Sequence, residues 1–251
     1  MRITKINPRY EHWRSFIGSV PDIFEQEGKE IYNKRNLIKM LTAPDGTAVN
    51  VKRYHVPHGP NRLVYSWGIR KPKCQRAFDY PMILKNKGIE TPEPIAIIEE
   101  RNWLGLLGYS YLITMQCDYG HTLYEVGDAK AGTYETLAKA LAHFAAKIHN
   151  GNVLHKDFTP GNVLWKQDDE GFHFSLVDIN RMHFGQVSAK QGLYNLRKFW
   201  GPKEFIRIMV TEYALLRNLD VGKSVDYVMR ERAKFWTKYS RKHEIPFKLE
   251  L

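Results

Sequence analysis

Short β-rich runs of mainly apolar residues fill the first half of the chain, at residues 30–32, 37–41, 47–54, 95–99 and 109–115, with apolar and polar positions alternating over 49–52. A period of two is the signature of half-buried β-strands. Asp45 and Gly46 sit between the second and third runs, where the turn of a β-hairpin is expected. The strand that follows should carry Val49, Val51 and Arg53 on one face and Ala48, Asn50, Lys52 and Tyr54 on the other. Residues 73–87 predict a helix with Ala77, Met82, Ile83 and Leu84 as its apolar positions and Pro81 as an interruption, after which Thr91-Pro92-Glu93-Pro94 requires extended backbone. Near residue 120 the period changes. Leu137, Leu141, Phe144, Ala145 and Ile148 recur at helical spacing, Asn150-Gly151 supplies a stop, and two more strands are expected at 162–166 and 172–177 across a polar turn at 167–171. The pattern predicts an α+β chain in two parts, a β-rich segment 1–119 with an antiparallel sheet and one helix, and a mainly helical segment 120–251.

Composition narrows the class. A chain of 251 residues with 43% hydrophobic content can build two lobes sharing a cleft, each with a core, which excludes a disordered or fibrous protein. Cys74 and Cys117 are too few for a disulfide framework and predict free thiols in a reducing compartment. The basic N-terminal residues precede no apolar run of the kind a signal peptide needs. The most apolar stretch, 104–115, is interrupted by Gly105 and Gly108 and is too short to span a bilayer, so it reads as a buried strand with a turn. A cytoplasmic location is the expectation.

Lys and Arg number 38 against 27 acidic residues, a formal charge of +11 that calls for an anionic partner: nucleic acid, a phosphorylated small molecule or an anionic membrane face. The basic, aromatic run 229–248, with Phe235, Trp236, Tyr239 and Phe247, reads as core packing beneath a solvated basic face, with membrane docking as the alternative. His55 and His58 flank a proline and read as surface residues rather than metal ligands. Residues 127–133 have P-loop spacing without its lysine, and Gly222-Lys223-Ser224 lacks the first glycine.

The candidate chemistry gathers at the strand ends after residue 150. Asp157 and Asn162 lie five positions apart, and Asp178 follows sixteen residues later across the expected hairpin, a spacing that matches the catalytic and metal loops of kinases. A nucleoside triphosphate brings several negative charges, and the Mg²⁺ that accompanies it needs hard oxygen ligands. On this reading Asp178 binds Mg²⁺, Asn162 helps to hold it, and Asp157 orients and deprotonates an acceptor hydroxyl. His155 braces the loop, and Pro160-Gly161 turns the backbone so that both key side chains face one cleft. An ordinary polar loop is the alternative.

Lys52 ends a strand where a kinase places the lysine that grips the α and β phosphates, although alone it reads equally well as a solvated residue. Its best-placed acidic partner is Asp79 on the predicted helix, unless Asp79 is simply solvated. A GxGxxG loop is missing; Asn33-Lys34-Arg35-Asn36 offers cations and amides instead, with Arg35 the candidate phosphate contact and a plain polar turn the alternative.

These residues resemble the lipopolysaccharide kinase family, the Kdo and heptose kinases of Gram-negative bacteria, over about residues 30–200. The resemblance is carried by Val51-Lys52-Arg53, Arg76-Ala77-Phe78-Asp79-Tyr80, the segment from Gly88 through Thr91-Pro92-Glu93-Pro94 to Ile95, Val153-Leu154-His155-Lys156-Asp157, Pro160-Gly161-Asn162-Val163-Leu164 and Val177-Asp178-Ile179-Asn180-Arg181. It implies a two-lobed protein-kinase-like fold, the use of ATP and Mg²⁺, and phosphorylation of a Kdo or heptose hydroxyl on an anionic glycolipid. It also implies peripheral contact with the inner face of the inner membrane and no nucleic-acid partner. The HxD and PGN elements are similar to those of aminoglycoside and choline kinases too, which leaves a small-molecule or protein kinase and a non-catalytic pseudokinase as rivals. Ile179-Asn180 replaces the Phe-Gly of protein kinases, no Ala-Pro-Glu follows, and Asp79 stands for the family's usual glutamate.

Overall fold

The computed structural model describes residues 1–34 and 36–251. Arg35, the candidate phosphate contact, lies outside the described residues. The chain divides into two compact units, Met1–Asp118 and Tyr119–Leu251.

The first unit runs β1 (Arg2–Ile6), α1 (Arg14–Ile23), β2 (Lys29–Asn33), β3 (Leu37–Thr42), β4 (Ala48–Tyr54), α2 (Pro60–Ser66), α3 (Lys73–Lys85), β5 (Pro94–Arg101) and β6 (Leu107–Met115). Its strands form one antiparallel sheet in the order β1-β5-β6-β4-β3-β2. Alternation along β4 assigns the two faces. Val49 and Val51 join Ile95, Ile98, Tyr111 and Ile113 beneath Trp13, Ile17, Val20 and Phe24. Tyr54 points the other way, where Cys74, Ala77 and Phe78 of α3 pack on Ile97 and Leu112. Burial of the Cys74 thiol pushes its pKa up to about 12, so it acts as a small apolar side chain.

Helix α3 departs from the stripe expected of it. Its buried positions are Cys74, Ala77, Phe78, Pro81 and Leu84, whereas Met82 and Ile83 are exposed. A turn of 100° per residue leaves 82 and 83 outside a stripe running through 74, 77, 78, 81 and 84, and Pro81 lies on the packed face. The structure also adds β1, α1 and α2 to the elements read from the sequence. All but Ile6 of β1 is exposed, so no burial alternation marks it, and Gly18 and Pro21 dilute the helical signal of α1.

The second unit contains β7 (His121–Thr122), α4 (Glu135–Asn150), β8 (Val153–His155), β9 (Val163–Asp168), β10 (Gly171–Leu176), β11 (Met182–Phe184), α5 (Ala189–Leu196), α6 (Lys203–Leu216) and α7 (Val221–Ser240). Its strands form two small sheets, β10-β9-β7 and β11-β8. Helix α4 buries Leu137, Leu141, Phe144, Ala145 and Ile148, the stripe its sequence predicts, and α6 contributes Phe205, Ile206, Met209, Val210 and Tyr213 to the buried interior. Not all of the C-terminal basic run is solvated. Arg232 is fully buried, donating from Nε to the Phe199 carbonyl at 3.3 Å and from Nη2 to the Gly201 carbonyl at 3.1 Å, and burial lowers its pKa to about 10.

Candidate active site

Two β-ladders gather the candidate residues of the second unit. In the β9–β10 hairpin Val163 pairs with Leu176, so Asn162 and Val177 flank its open end, and the Val177 N–H donates to the Asn162 carbonyl at 3.1 Å. Asp178 follows at once, held at φ +52°, a left-handed conformation that is uncommon outside glycine and is adopted chiefly by Asn, Asp and His among the other residues. In the β8–β11 ladder His155 pairs with Met182, and the Lys156 N–H donates to the Arg181 carbonyl at 2.9 Å. Sequence separation is thereby converted into adjacency: antiparallel pairing returns residues 177–181 alongside residues 155–162.

A buried polar chain fixes the loop from within. The Asp157 N–H donates to His155 Nδ1 at 3.1 Å, so the His155 proton sits on Nε2, which donates to the Val177 carbonyl at 3.1 Å. Burial lowers the His155 pKa and keeps this neutral tautomer. Asn195 of α5 donates from Nδ2 to the His155 carbonyl at 3.0 Å and accepts at Oδ1 from His149 Nε2 at 3.2 Å. His149 Nδ1 in turn accepts from the Tyr213 hydroxyl at 2.8 Å. At Gly161 a Cβ would stand 2.5 Å from the Tyr124 ring, so any larger residue there requires the tyrosine to move.

The carboxylate of Asp157 is engaged twice: Arg181 Nη1 donates to Oδ2 at 2.8 Å and Lys198 Nζ donates to Oδ1 at 3.2 Å. Lys198, largely buried, also donates to the Lys156 carbonyl at 2.9 Å. Sequence reasoning assigned neither cation a role. Arg181 lies inside a segment already singled out by resemblance, but Lys198 arrives from beyond α5, and no local pattern marks it.

Asn162 Nδ2 donates to the Asp157 carbonyl at 2.9 Å, which turns its Oδ1 away as a hard oxygen ligand. Asp178 Oδ1 accepts from Asn180 Nδ2 at 2.5 Å, and the Oδ1 of that buried asparagine has no hydrogen-bond partner. One amide oxygen and one carboxylate suit Mg²⁺, which binds through one or two protein oxygens and completes its shell with phosphate oxygens and water. Among the described residues no three of His, Cys, Asp and Glu cluster as a metal cage, so a cation here would draw its other ligands from phosphate and water.

In the first unit, Lys52 shares the α3-facing side of β4 with Tyr54, its Nζ lying 5.0 Å from the Tyr54 ring centroid. Asp79 on α3 is held by two lysines that the sequence did not connect to it, Lys5 of β1 at 2.9 Å and Lys71 at 3.1 Å. Burial pushes the Asp79 carboxyl up, but these two ammonium groups outweigh it and hold the pKa below the usual carboxylate range. Lys5, Lys71 and Asp79 line a cavity of about 270 Å³ with Gln75 and the buried Glu99.

Similar folds occur among kinases. A structure of WaaP in complex with acyl carrier protein superposes with a TM-score of 0.58 over 92% of this chain and 98% of that one, at 15% identity. The amicoumacin kinase hAmiN, solved with AMP-PNP, Ca²⁺ and Ami, gives a TM-score of 0.56 over 96% of both chains at 11% identity. No curated protein sequence matches significantly. The fold is protein-kinase-like, and the protein is a phosphotransferase. Residues 29–205 match the lipopolysaccharide kinase (Kdo/WaaP) family, and the chain belongs to that family.

Proposed function

We propose that this kinase transfers the γ-phosphoryl group of ATP to a hydroxyl of Kdo or heptose in the lipopolysaccharide inner core. The acceptor oxygen attacks the γ-phosphorus, the bond to the ADP oxygen breaks, and the hydroxyl proton passes to the Asp157 carboxylate. The observation that carries this reading is the setting of Asp157: its backbone N–H donates to the neutral His155, its backbone carbonyl accepts from Asn162, and its carboxylate is flanked by two cations. Arg181 and Lys198 hold the base in place and offer positive charge where phosphoryl oxygens collect during transfer.

Asn162 Oδ1 and the Asp178 carboxylate would hold Mg²⁺, which would offset the negative charge of the phosphates. Lys52 would grip the α and β phosphates, with Asp79 orienting it and Arg35 contributing a further phosphate contact. No helix among the described residues is long and apolar enough to cross a membrane. A glycolipid acceptor would therefore be met by peripheral contact, which the +11 charge favours at an anionic surface.

The test is transfer in vitro from Mg²⁺-ATP to a Kdo-containing lipid A acceptor, read by mass spectrometry as a gain of about 80 Da. The Asp157→Ala protein should lose on the order of 10² to 10⁴ in rate while keeping its circular dichroism spectrum. A folded variant with near-full activity removes Asp157 from the mechanism. Transfer to free sugars or peptides alone overturns the acceptor.

A further inference from the structure

The basic and aromatic residues of α7 do not spread evenly over a solvated face. They converge with the C-terminal end of α5 on an open groove of about 540 Å³, whose lining includes Arg197, Lys234, Phe235, Lys238, Tyr239 and Lys242. The aromatic wall is ordered by stacking: the Phe235 and Tyr239 rings lie 5.9 Å apart at 21°, and Tyr239 stacks on His243 at 4.3 Å. The Arg197 guanidinium carbon lies 3.4 Å from the Tyr194 ring centroid and 5.5 Å from that of Phe235. The single acid in the lining, Glu231, is already neutralised by Lys234 at 2.9 Å. Arg197, Lys238 and Lys242 remain as cationic charge facing an open volume.

Position gives this groove a meaning. Arg197 and Lys198 are consecutive, and consecutive Cα atoms are about 3.8 Å apart. Lys198 reaches the Asp157 carboxylate, while Arg197 turns into the groove. The groove therefore begins one residue along the chain from Lys198, whose ammonium group contacts the proposed base at 3.2 Å. Nucleotide phosphates suit the cations but give the ring faces nothing to cover. A sugar ring, by contrast, presents C–H faces to aromatic side chains and its carboxylates or phosphates to Arg and Lys.

We infer that the α5–α7 groove binds the anionic sugar portion of the acceptor, seating carboxylate- or phosphate-bearing residues on Arg197, Lys238 and Lys242 against the Phe235 and Tyr239 rings, so that a neighbouring hydroxyl reaches Asp157. This rests on the acceptor reading above and extends it to the residues that select the substrate. Occupancy is by the sugar portion and not by a bilayer surface.

Direct binding separates the two claims. A deacylated, Kdo-containing lipid A oligosaccharide is titrated by calorimetry into the wild-type protein, into Lys238→Glu/Lys242→Glu, and into a control, Lys139→Glu/Lys223→Glu, which makes the same charge change at exposed sites outside the groove. The expected result is binding by wild type and control, and affinity at least about tenfold weaker in the groove variant. The same ratio should appear in acceptor KM, with the affinity for AMP-PNP unaltered. Equal weakening in both double variants overturns the groove, because it assigns the effect to overall charge. So does stronger binding to anionic phospholipid vesicles than to the oligosaccharide, and so does wild-type protein that fails to bind the oligosaccharide. If the wild type binds it through the groove yet transfers no phosphate to the lipid-linked form, the groove stands and the proposed reaction falls.

Discussion

At the scale of single residues, the site depends on two neutral histidines that never appear at the surface. His155 accepts from the backbone of Asp157 and His149 accepts from Tyr213, so protonating either ring nitrogen would break a hydrogen bond and bury a charge. Burial lowers the pKa of His149 to about 4 and that of His155 in the same direction. An unfolded histidine titrates near 6.5. Between pH 6.5 and 4 the unfolded chain thus holds a proton that folded His149 lacks, so stability falls as pH falls, with a slope of about 1.4 kcal/mol per pH unit for that group. Urea denaturation at pH 7, 6 and 5, followed by tryptophan fluorescence, should show this loss. The His149→Gln protein should show a shallower dependence, and parallel slopes would falsify the assignment. Sequence could name His155 because it sits in a recognisable run. It could not name His149 or Asn195, which read as one more helical polar position each until folding brings them behind the loop.

At the scale of elements, the strands and the local hairpins were legible because their information is local. The runs at 37–41, 47–54 and 109–115 became β3, β4 and β6, and the polar turn between 162–166 and 172–177 became the β9–β10 hairpin. What sequence hid was contact between distant elements. Gly192 of α5 is an example: an added Cβ would stand 2.1 Å from the Tyr213 hydroxyl of α6 and 3.1 Å from His149 Nδ1 of α4, so the helices approach as closely as they do only because that side chain is missing. Gly192→Ala should cost about 1–3 kcal/mol, since the helices must shift or the polar chain behind His155 must break. Gly222→Ala, in the first turn of α7, meets nothing nearer than 3.6 Å and should be neutral or slightly stabilising. Thermal melts of the two variants check the contrast, and equal melting temperatures would count against the packing argument.

For the whole molecule, local and long-range information divide the site unevenly. Asp157 and Asn162 are close in sequence and can be singled out by spacing, and Asp178 joins them as a candidate once a hairpin is recognised. Lys198 meets Asp157 across forty-one positions, and the Arg197 side of the same segment opens on α7, so the cationic surroundings of the Asp157 carboxylate could not be read from any window of the chain. Net charge is the one long-range property that composition states outright. A formal +11 would attract the proposed anionic acceptor from beyond contact distance, and that attraction would be screened as the Debye length contracts from about 30 Å at 0.01 M salt to about 10 Å at 0.1 M. With ATP saturating, acceptor KM should therefore rise about tenfold across that range while kcat holds steady, because the chemical step takes place after the acceptor has left bulk solvent. Steady-state kinetics on the soluble oligosaccharide acceptor measure this without a bilayer to confuse the source of charge. A KM indifferent to salt would mean that the excess of basic residues serves something other than acceptor capture. A KM rise that persists in Lys238→Glu/Lys242→Glu would separate the field of the whole surface from the short-range contacts of the groove.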